Sequence, residues 1–260
     1  MSNIIAFDIE TGSLPVERLK EILPPFDLAS LGQHPGIFKS ESVKLGNLKD
    51  AKKIAEKIAS AKIAHDKAVD EYESKLANGE PAYWQSIVDD AALSAITGQV
   101  VAIGYQGKKE TQHLAVDGIT EHQLLVQFWK IYQQGRSEKR SLVGFNIKAF
   151  DVPFICQRSW ILGVPVPATI TTMTGYLDPV FVDLAERWKA GNRGAWGKPG
   201  FGTLDTIAKA LGIPGKPADC KGAEFAQKLW GSAEDRAIAA AYLSSDLRMT
   251  AEVAERLGVA

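Results

Sequence analysis

The chain has 260 residues, of which 45% are hydrophobic and 23% are charged, and its formal net charge is −1. These values exclude disorder, collagen and coiled coil as the main state. They also exclude a surface coated with basic charge for tight nucleic-acid binding, although a local basic cleft remains compatible with them.

The two cysteines form no CxxC pair, so we expect free thiols in a reducing cytoplasm and neither a zinc knuckle nor a disulfide framework. Apolar runs fall short of the about 20 residues that a membrane span needs. The first residues lack the basic region of a signal peptide. We therefore expect a cytoplasmic protein without a membrane partner.

The first predicted element is an apolar strand at residues 3–9, buried on both faces and ended by Thr11-Gly12-Ser13. Residues 14–47 contain four prolines and predict mostly loop. A helical period with a lysine-rich face follows at residues 48–77. That face has two interpretations, a solvated helix surface or an arm that touches a nucleic-acid backbone.

The later elements alternate between strands and helices. They are predicted as strands at 99–105 and 110–116 joined by a hairpin turn, a helix at 121–134, a strand at 141–144, a helix at 151–162, a strand at 180–182, and helices at about 203–211 and 233–257. The order indicates one mixed sheet flanked by helices. We predict a single domain, residues 1–260, with residues 14–97 as a loop and helix insertion.

Asp8 and Glu10 stand two apart on the first strand, so both side chains leave the same face. Unpaired carboxylates are costly on a buried strand unless a cation neutralises them, and hard divalent metals prefer such oxygen ligands. Taken alone, an Asp-x-Glu pair is common and gives only a weak indication of a metal site.

Two further elements carry polar groups at suggestive positions. Asn146 follows a short strand, and Asp151 begins a helix, where it is either a simple N-cap or part of a site. Tyr242 and Asp246 are one helical turn apart in the last helix. They are either a core-edge tyrosine with a solvated aspartate or a second part of that site.

Together these elements resemble the three motifs of the DEDD (DnaQ-like) 3′–5′ exonucleases. The motifs are Phe7-Asp8-Ile9-Glu10-Thr11, then Asn146-x-x-x-Phe150-Asp151, then Tyr242-x-x-x-Asp246. A tyrosine four residues before the last aspartate is typical of the DEDDy branch. Residues 204–216 also resemble exonuclease domains related to family B DNA polymerases. The resemblance covers residues 3–12 and about 98–257.

The resemblance implies a ribonuclease H-like fold with a central mixed five-stranded sheet and a helical insertion after the first strand. It implies that Asp8, Glu10, Asp151 and Asp246 converge, that Asp8 bridges two metal ions and that Tyr242 orients or deprotonates a water. Two Mg²⁺ or Mn²⁺ ions would balance four negative charges and clamp the oxygens of an in-line phosphodiester displacement.

The resemblance also assigns substrate contacts to Thr11, Asn146 and Phe150. A separate indication comes from residues 187–202, where basic side chains alternate with aromatic ones. Arg193, Trp196 and Lys198 in that segment suit a single strand, whose phosphates need neutralising and whose bases stack. The other interpretation is a flexible surface loop whose aromatic side chains pack into the core. Lys216 and Lys221 could extend the strand-binding surface.

We therefore expect a metal-dependent 3′–5′ exonuclease that acts on the 3′ end of single-stranded DNA and releases nucleoside 5′-monophosphates. Two alternatives stay open, a 3′–5′ exoribonuclease of the same fold and a non-catalytic nucleic-acid-binding or polymerase-accessory module. Any proofreading role would act in trans, beside a DNA polymerase or a repair protein. The sequence leaves the oligomeric state and the role of residues 14–97 open.

Overall fold

The computed structural model describes residues 3–107, 111–116, 118–172, 175–191, 202–216 and 220–259. The chain divides into two compact units, one made of Met1–Leu14 with Ala91–Ala260 and the other of Pro15–Asp90. The sheet lies in the first unit, and a long helix dominates the second. The single-domain organisation stays a prediction.

A mixed sheet of five strands in the order β3-β2-β1-β4-β5 forms the centre of the first unit. The strands are β1 (Ile4–Ser13), β2 (Gly98–Gln106), β3 (Thr111–Ala115), β4 (Ser141–Gly144) and β5 (Phe181–Asp183). The first strand is central, antiparallel to β2 and parallel to β4. The outer pairs are antiparallel β2–β3 and parallel β4–β5. Part of the predicted turn between β2 and β3 lies outside the described residues.

The first strand is longer than its sequence predicts. Thr11-Gly12-Ser13 was expected to end it, but β1 continues to Ser13, which pairs with Gly98. Its long antiparallel neighbour satisfies the backbone of this polar segment, so pairing overrides the weak local strand preference.

The structure describes eight α-helices. They are α1 (Val16–Ile22), α2 (Ala51–Ala91), α3 (Glu121–Ser137), α4 (Asp151–Ile161), α5 (Leu184–Lys189), α6 (Leu204–Ala210), α7 (Gly222–Leu229) and α8 (Ala233–Arg256). Short 3₁₀ turns occupy Leu28–Leu31, Ser40–Ser42 and Ala168–Ile170. Among the described helices, none combines the length and the apolar composition needed to cross a membrane.

The two faces of the sheet bury different helices because β1 side chains alternate. Phe7 and Ile9 point into an aromatic core with α3 and α4, where Phe128 and Tyr132 are fully buried. The opposite face packs against α6, α7 and α8. Asp8 and Glu10 belong to that opposite face by their alternation with Phe7 and Ile9.

The unit Pro15–Asp90 consists of α1, the two first 3₁₀ turns and most of α2. The predicted helix at 48–77 is too short, because α2 continues through Gly79 and Pro81 to Ala91. Packing explains the continuation: a Cβ atom on Gly79 would lie 2.8 Å from the ring of Phe26. Local helix breakers are therefore outweighed by close contact with the preceding loop.

Candidate active site

The first strand presents two carboxylates beside a local irregularity of the sheet. Asp8 pairs with Gly104 of β2, and Glu10 pairs with Ala102. The register then shifts between Glu10 and Thr11, which places a bulge immediately beside Glu10. Bulges increase the local twist and re-aim side chains, so this irregularity changes the course of the strand immediately after Glu10.

Helix α8 carries the third carboxylate, Asp246, onto the same face. It approaches unusually closely at Gly104, the strand position paired with Asp8. A Cβ atom there would lie 2.8 Å from Cδ1 of Leu247 and 2.9 Å from Cγ of Leu243. A residue without a side chain thus lets the helix rest directly on β2 and brings Asp246 up to the strand.

Asp8, Glu10 and Asp246 form a compact acidic cluster. Each offers a carboxylate oxygen, and these oxygens all lie within 4.8 Å of one another. Glu10 and Asp246 are only 8% and 4% exposed. Burial raises the pKa of all three, and repulsion from neighbouring carboxylates raises the pKa of Asp8 and Glu10 further. A cation among them would relieve both effects.

Asp151 reaches the edge of this cluster from the first turn of α4. Strand β4 pairs with β1 only at Ile4–Ala6, so the backbone beyond is open on that side. The N–H of Ile9 there donates to Oδ1 of Asp151 over 3.3 Å. Burial raises the pKa of Asp151 to about 7, and its charge in turn raises the pKa of both β1 carboxylates.

Tyr242 and Asp246 contact the same cation, which their spacing of one helical turn allows. The ammonium of Lys216 donates to the hydroxyl oxygen of Tyr242 over 2.8 Å and to Oδ2 of Asp246 over 2.6 Å. Burial is the main cause that raises the pKa of Tyr242 to about 12. The phenol therefore keeps its proton at neutral pH.

The acidic cluster has the donor chemistry of a divalent metal site. Oδ1 of Asp246 is buried and has no hydrogen-bond partner among the described residues. An orphaned buried carboxylate oxygen is costly unless something charged meets it. Mg²⁺ and Mn²⁺ favour such oxygens, so Asp8, Glu10 and Asp246 could hold a metal ion.

Asn146 lies in the turn between β4 and α4, in a left-handed conformation with φ of +63°. Asp183 at the end of β5 holds this turn, since its carboxylate accepts the N–H groups of Asn146 and Lys148 over 2.9 and 3.0 Å. The same carboxylate caps α5 through the N–H of Ala185. Asp183 therefore fixes the loop that delivers Asn146.

The structure places two other predicted substrate contacts as follows. Phe150 is half-buried at the start of α4, with its ring 5.5 Å from that of Phe154. The hydroxyl of Thr11 donates to the carbonyl oxygen of Ala92 over 2.8 Å. That bond anchors the segment after α2 to β1. Arg193, Trp196 and Lys198 lie outside the described residues, and their roles stay predictions.

Sequence reasoning missed two groups at the site. It assigned Lys216 only to an extended strand-binding surface, and it gave Asp183 no role in the site. The signal for Lys216 was its place in the segment 204–216, which resembles polymerase-related exonuclease domains. No local periodicity marks its contact with Asp246, because the contact joins segments 30 residues apart.

The sheet is mixed and five-stranded, and its central strand brings two carboxylates close to a third on the last helix. This arrangement is that of a ribonuclease H-like exonuclease fold. A family model described as "Predicted 3'-5' exonuclease related to the exonuclease domain of PolB" matches residues 91–251, more than half of the chain. The chain belongs to this family. No curated protein matches it by sequence.

Among solved structures, the chain is similar to the family B DNA polymerase from the hyperthermophilic archaeon Pyrobaculum calidifontis. The TM-score is 0.50 and the sequence identity is 19%, over 65% of this chain and 23% of the polymerase chain. At this identity the likeness shows the fold alone. The chain thus corresponds to less than a quarter of that polymerase.

The family match begins at residue 91 and so leaves out β1 with Asp8 and Glu10. The structure nevertheless pairs β1 with β2 and β4, both inside the matched region. The strand that carries Asp8 and Glu10 therefore pairs with strands of the matched region, although Pro15–Asp90 separates them along the chain.

Proposed function

We propose that the protein is a metal-dependent 3′–5′ exonuclease of the DEDDy branch. It hydrolyses the terminal phosphodiester bond at the 3′ end of single-stranded DNA and releases nucleoside 5′-monophosphates. The observation that carries the proposal is the buried cluster of Asp8, Glu10 and Asp246, with Tyr242 directed to the same place. Membership of a family of predicted 3′–5′ exonucleases supports the direction of attack.

The four carboxylates have distinct positions in this scheme. Asp8, Glu10 and Asp246 would hold the cations from the strand and the last helix, and Asp151 would join them from α4. Two Mg²⁺ or Mn²⁺ ions would supply Lewis-acid stabilisation of the attacking and leaving oxygens. Asp8 interacts with the charges of Glu10, Asp151 and Asp246, and it would be the ligand shared by both ions.

Tyr242 acts as a hydrogen-bond donor and not as a base. Its raised pKa, about 12, leaves almost no phenolate at neutral pH. An ammonium can only donate, so the bond from Lys216 uses the phenol oxygen as acceptor and leaves the phenol proton for another partner. Tyr242 therefore orients the water or a phosphate oxygen during hydrolysis.

Single-stranded DNA is the proposed substrate because the family is related to the exonuclease domain of a DNA polymerase. Thr11, Asn146 and Phe150 would position the terminal nucleotides, with Arg193, Trp196 and Lys198 along the strand. An exoribonuclease of the same fold is the first alternative. A non-catalytic module is the second, and the presence of all four carboxylates and the tyrosine argues against it.

The end of the long-helix unit offers a further contact for the nucleic-acid backbone. Residues 39–57 contain six exposed lysines and three acidic residues, whereas residues 68–90 contain one lysine and six acidic residues. Within the described chain, none of those six lysines forms an ion pair, unlike Lys62 and Lys67 farther along α2. This uneven charge distribution favours the interpretation of the helix as an arm that contacts the nucleic-acid backbone.

Partners and location are proposals as well. A DNA polymerase or a repair protein would act with the nuclease in trans. The two cysteines are both free and buried, which suits a reducing cytoplasm.

The decisive experiment is digestion of a 5′-labelled single strand in Mg²⁺ or Mn²⁺, with matched duplex DNA and RNA of the same sequence. We expect a ladder that shortens from the 3′ end of the DNA strand and mononucleotide products. Faster trimming of the RNA would identify RNA as the substrate and favour the exoribonuclease alternative. Endonucleolytic fragments, or intact strands throughout, would refute the proposal.

A matched pair of variants on α8 controls for contaminating nucleases. Asp246→Asn removes one charge of the cluster and should abolish trimming. Glu255→Gln removes the same charge from an exposed position on the same helix and should trim like the wild type. Equal activity of both variants would show that the cluster is not the catalytic centre.

A further inference from the structure

The ammonium group of Lys216 supplies a positive charge beside the acidic cluster. Lys216 lies 2.6 Å from Oδ2 of Asp246 and 2.8 Å from the hydroxyl of Tyr242, and its ammonium sits 4.4 Å from the centre of the tyrosine ring. The side chain of Asp246 is 6% exposed, and that of Lys216 is 28% exposed. A partly accessible cation therefore meets a buried carboxylate.

Hydrogen bonds from two helices hold the backbone at Lys216 in place. Its N–H donates to Oδ1 of Asp205 at the start of α6 over 2.9 Å. Gly215 allows this approach, since a Cβ atom there would lie 2.4 Å from the same oxygen. On the other side, Arg248 of α8 donates to the carbonyl oxygen of Pro214 over 2.9 Å. The segment is tied to both helices, and Lys216 extends between them toward Asp246.

The charge of Lys216 acts on the whole cluster. Its proximity lowers the pKa of Asp8, Glu10 and Asp246, against burial and mutual repulsion, which raise them. Burial opposes the charge on Lys216, but Asp246 and the bond to Tyr242 outweigh it and raise the pKa of the ammonium above its usual range.

We propose that Lys216 is a tethered counter-ion: it neutralises Asp246 in the metal-free protein and leaves that carboxylate when a divalent cation binds. This inference rests on the metal site of the proposed function. One carboxylate oxygen of Asp246 accepts from Lys216, and the other is buried without a hydrogen-bond partner among the described residues, so the internal cation occupies only one of the two oxygens.

Two physical consequences follow from a tethered counter-ion. The metal-free site stays assembled because its repulsion is partly cancelled, whereas an unscreened buried cluster would push α8 away from β1. Metal binding is weaker than the carboxylates alone would give, because it must break a charge-assisted hydrogen bond. Lys216 keeps its bond to Tyr242 and so remains at the site after the exchange.

The test measures metal binding and stability and needs no nuclease activity. Lys216→Met removes the charge and keeps the length of the side chain. The matched control, Lys209→Met, removes an exposed lysine from the neighbouring helix, where it pairs with Asp205 over 2.6 Å. For each protein, Mn²⁺ affinity is measured by electron paramagnetic resonance, and the unfolding temperature is measured in EDTA and in saturating Mn²⁺.

We expect Lys216→Met to bind Mn²⁺ on the order of tenfold or more tightly, the gain from no longer breaking a charge-assisted bond. Its unfolding temperature in EDTA should fall, and Mn²⁺ should raise that temperature by more than it does in the wild type. Lys209→Met should match the wild type in Mn²⁺ affinity. If Lys216→Met does not fold, Lys216→Gln repeats the measurement with a neutral group that can still donate to Tyr242.

Unchanged or weaker Mn²⁺ binding in the Lys216 variants, beside clear binding to the wild type, would overturn the counter-ion and leave the metal site intact. Failure of the wild type and all variants to bind Mn²⁺ would overturn the metal site and the counter-ion together. The two failures are thus distinguishable.

Discussion

Tyr242 is the residue whose role depends most on one atom. Removing its hydroxyl in Tyr242→Phe keeps the ring, which packs beside Phe225 at a centroid distance of 6.2 Å. Groups that position or transfer protons typically contribute about 10²–10⁴-fold, so we expect the single-turnover rate to fall within that range. Mn²⁺ affinity should hardly change, because the hydroxyl is not among the cluster ligands.

The measurement is single-turnover cleavage of a labelled strand over a Mg²⁺ titration. An unchanged rate would return Tyr242 to a packing role at the edge of the core. A rate loss that excess Mg²⁺ restores would instead place the hydroxyl in metal binding.

Gly104 is a second position where adding a single carbon atom would disturb the packing behind the site. A methyl group there would collide with Leu243 and Leu247, which are 1% and 0% exposed and cannot move aside freely. We expect Gly104→Ala to cost about 1–3 kcal/mol of unfolding free energy, as overpacking does. It should also weaken Mn²⁺ binding, since α8 carries Asp246. Gly118→Ala, with open space around its Cβ position, is the control.

Urea unfolding and Mn²⁺ titration of both variants check this expectation. Equal stability of the two proteins would mean that the helix tolerates a wider separation from β2. Lost stability with unchanged Mn²⁺ binding would mean that Asp246 does not depend on that contact.

At the level of elements, sequence patterns located all five strands, although β1 runs on to Ser13 and β3 is largely polar. Helix α7 was not predicted, and α2 was predicted too short; the physical causes lie outside the local sequence. Helix α7 begins at Gly222 after a lysine, without a typical capping residue, and it gains its stability by burying Phe225 and Leu229. Helix α2 passes Gly79 and Pro81 because tertiary contacts hold it there.

The candidate site divides in the same way. The clustering of Asp8, Glu10 and Asp246 was predictable because their spacing along single elements resembles known motifs. The contact of Lys216 with Asp246 was not, since it depends on a turn tied to α6 and α8 by hydrogen bonds from distant residues. The bulge beside Glu10 likewise arises from strand pairing and has no signature of its own.

The basic end of α2 gives an element-scale prediction. Lys52→Ala with Lys53→Ala removes two exposed lysines without ion pairs, and Lys62→Ala with Lys67→Ala removes two that pair with acidic residues. We expect only the first pair to weaken binding of long single strands. The slope of log affinity against log salt should fall by about 0.7 for each lost phosphate contact.

Binding is measured by fluorescence anisotropy in EDTA, with oligonucleotides of several lengths. Identical slopes for both double variants would assign the lysine-rich surface to solvation. A loss that also affects the shortest oligonucleotides would point to damage at the active site.

For the whole molecule, the buried acids predict an inverted pH response in the absence of metal. The folded protein raises the pKa of Asp151 from near 4 to about 7, and it also raises the pKa of Asp8 and Glu10. Between those values the folded chain binds more protons than the unfolded chain, so stability falls as pH rises. We expect the unfolding temperature in EDTA to decrease from about pH 5.5 to 7.5.

Asp151→Asn should flatten part of this dependence, because it removes one of the titrating groups. Saturating Mg²⁺ should flatten it further by stabilising the ionised carboxylates. An unfolding temperature that rises with pH over this interval, measured by calorimetry in EDTA, would contradict the electrostatic account of the cluster.

The connection between the first two strands shows how this fold accommodates extra chain. Ser13 and Gly98 are paired across β1 and β2, and the N–H of Leu14 donates to the carbonyl oxygen of Thr97 over 2.9 Å. Pro15–Asp90 therefore replaces the tip of a β-hairpin. Loop-closure entropy grows only logarithmically, by about 0.6 kcal/mol for each doubling of length. The entropic cost of bringing β1 and β2 together is therefore almost independent of how many residues are inserted between them.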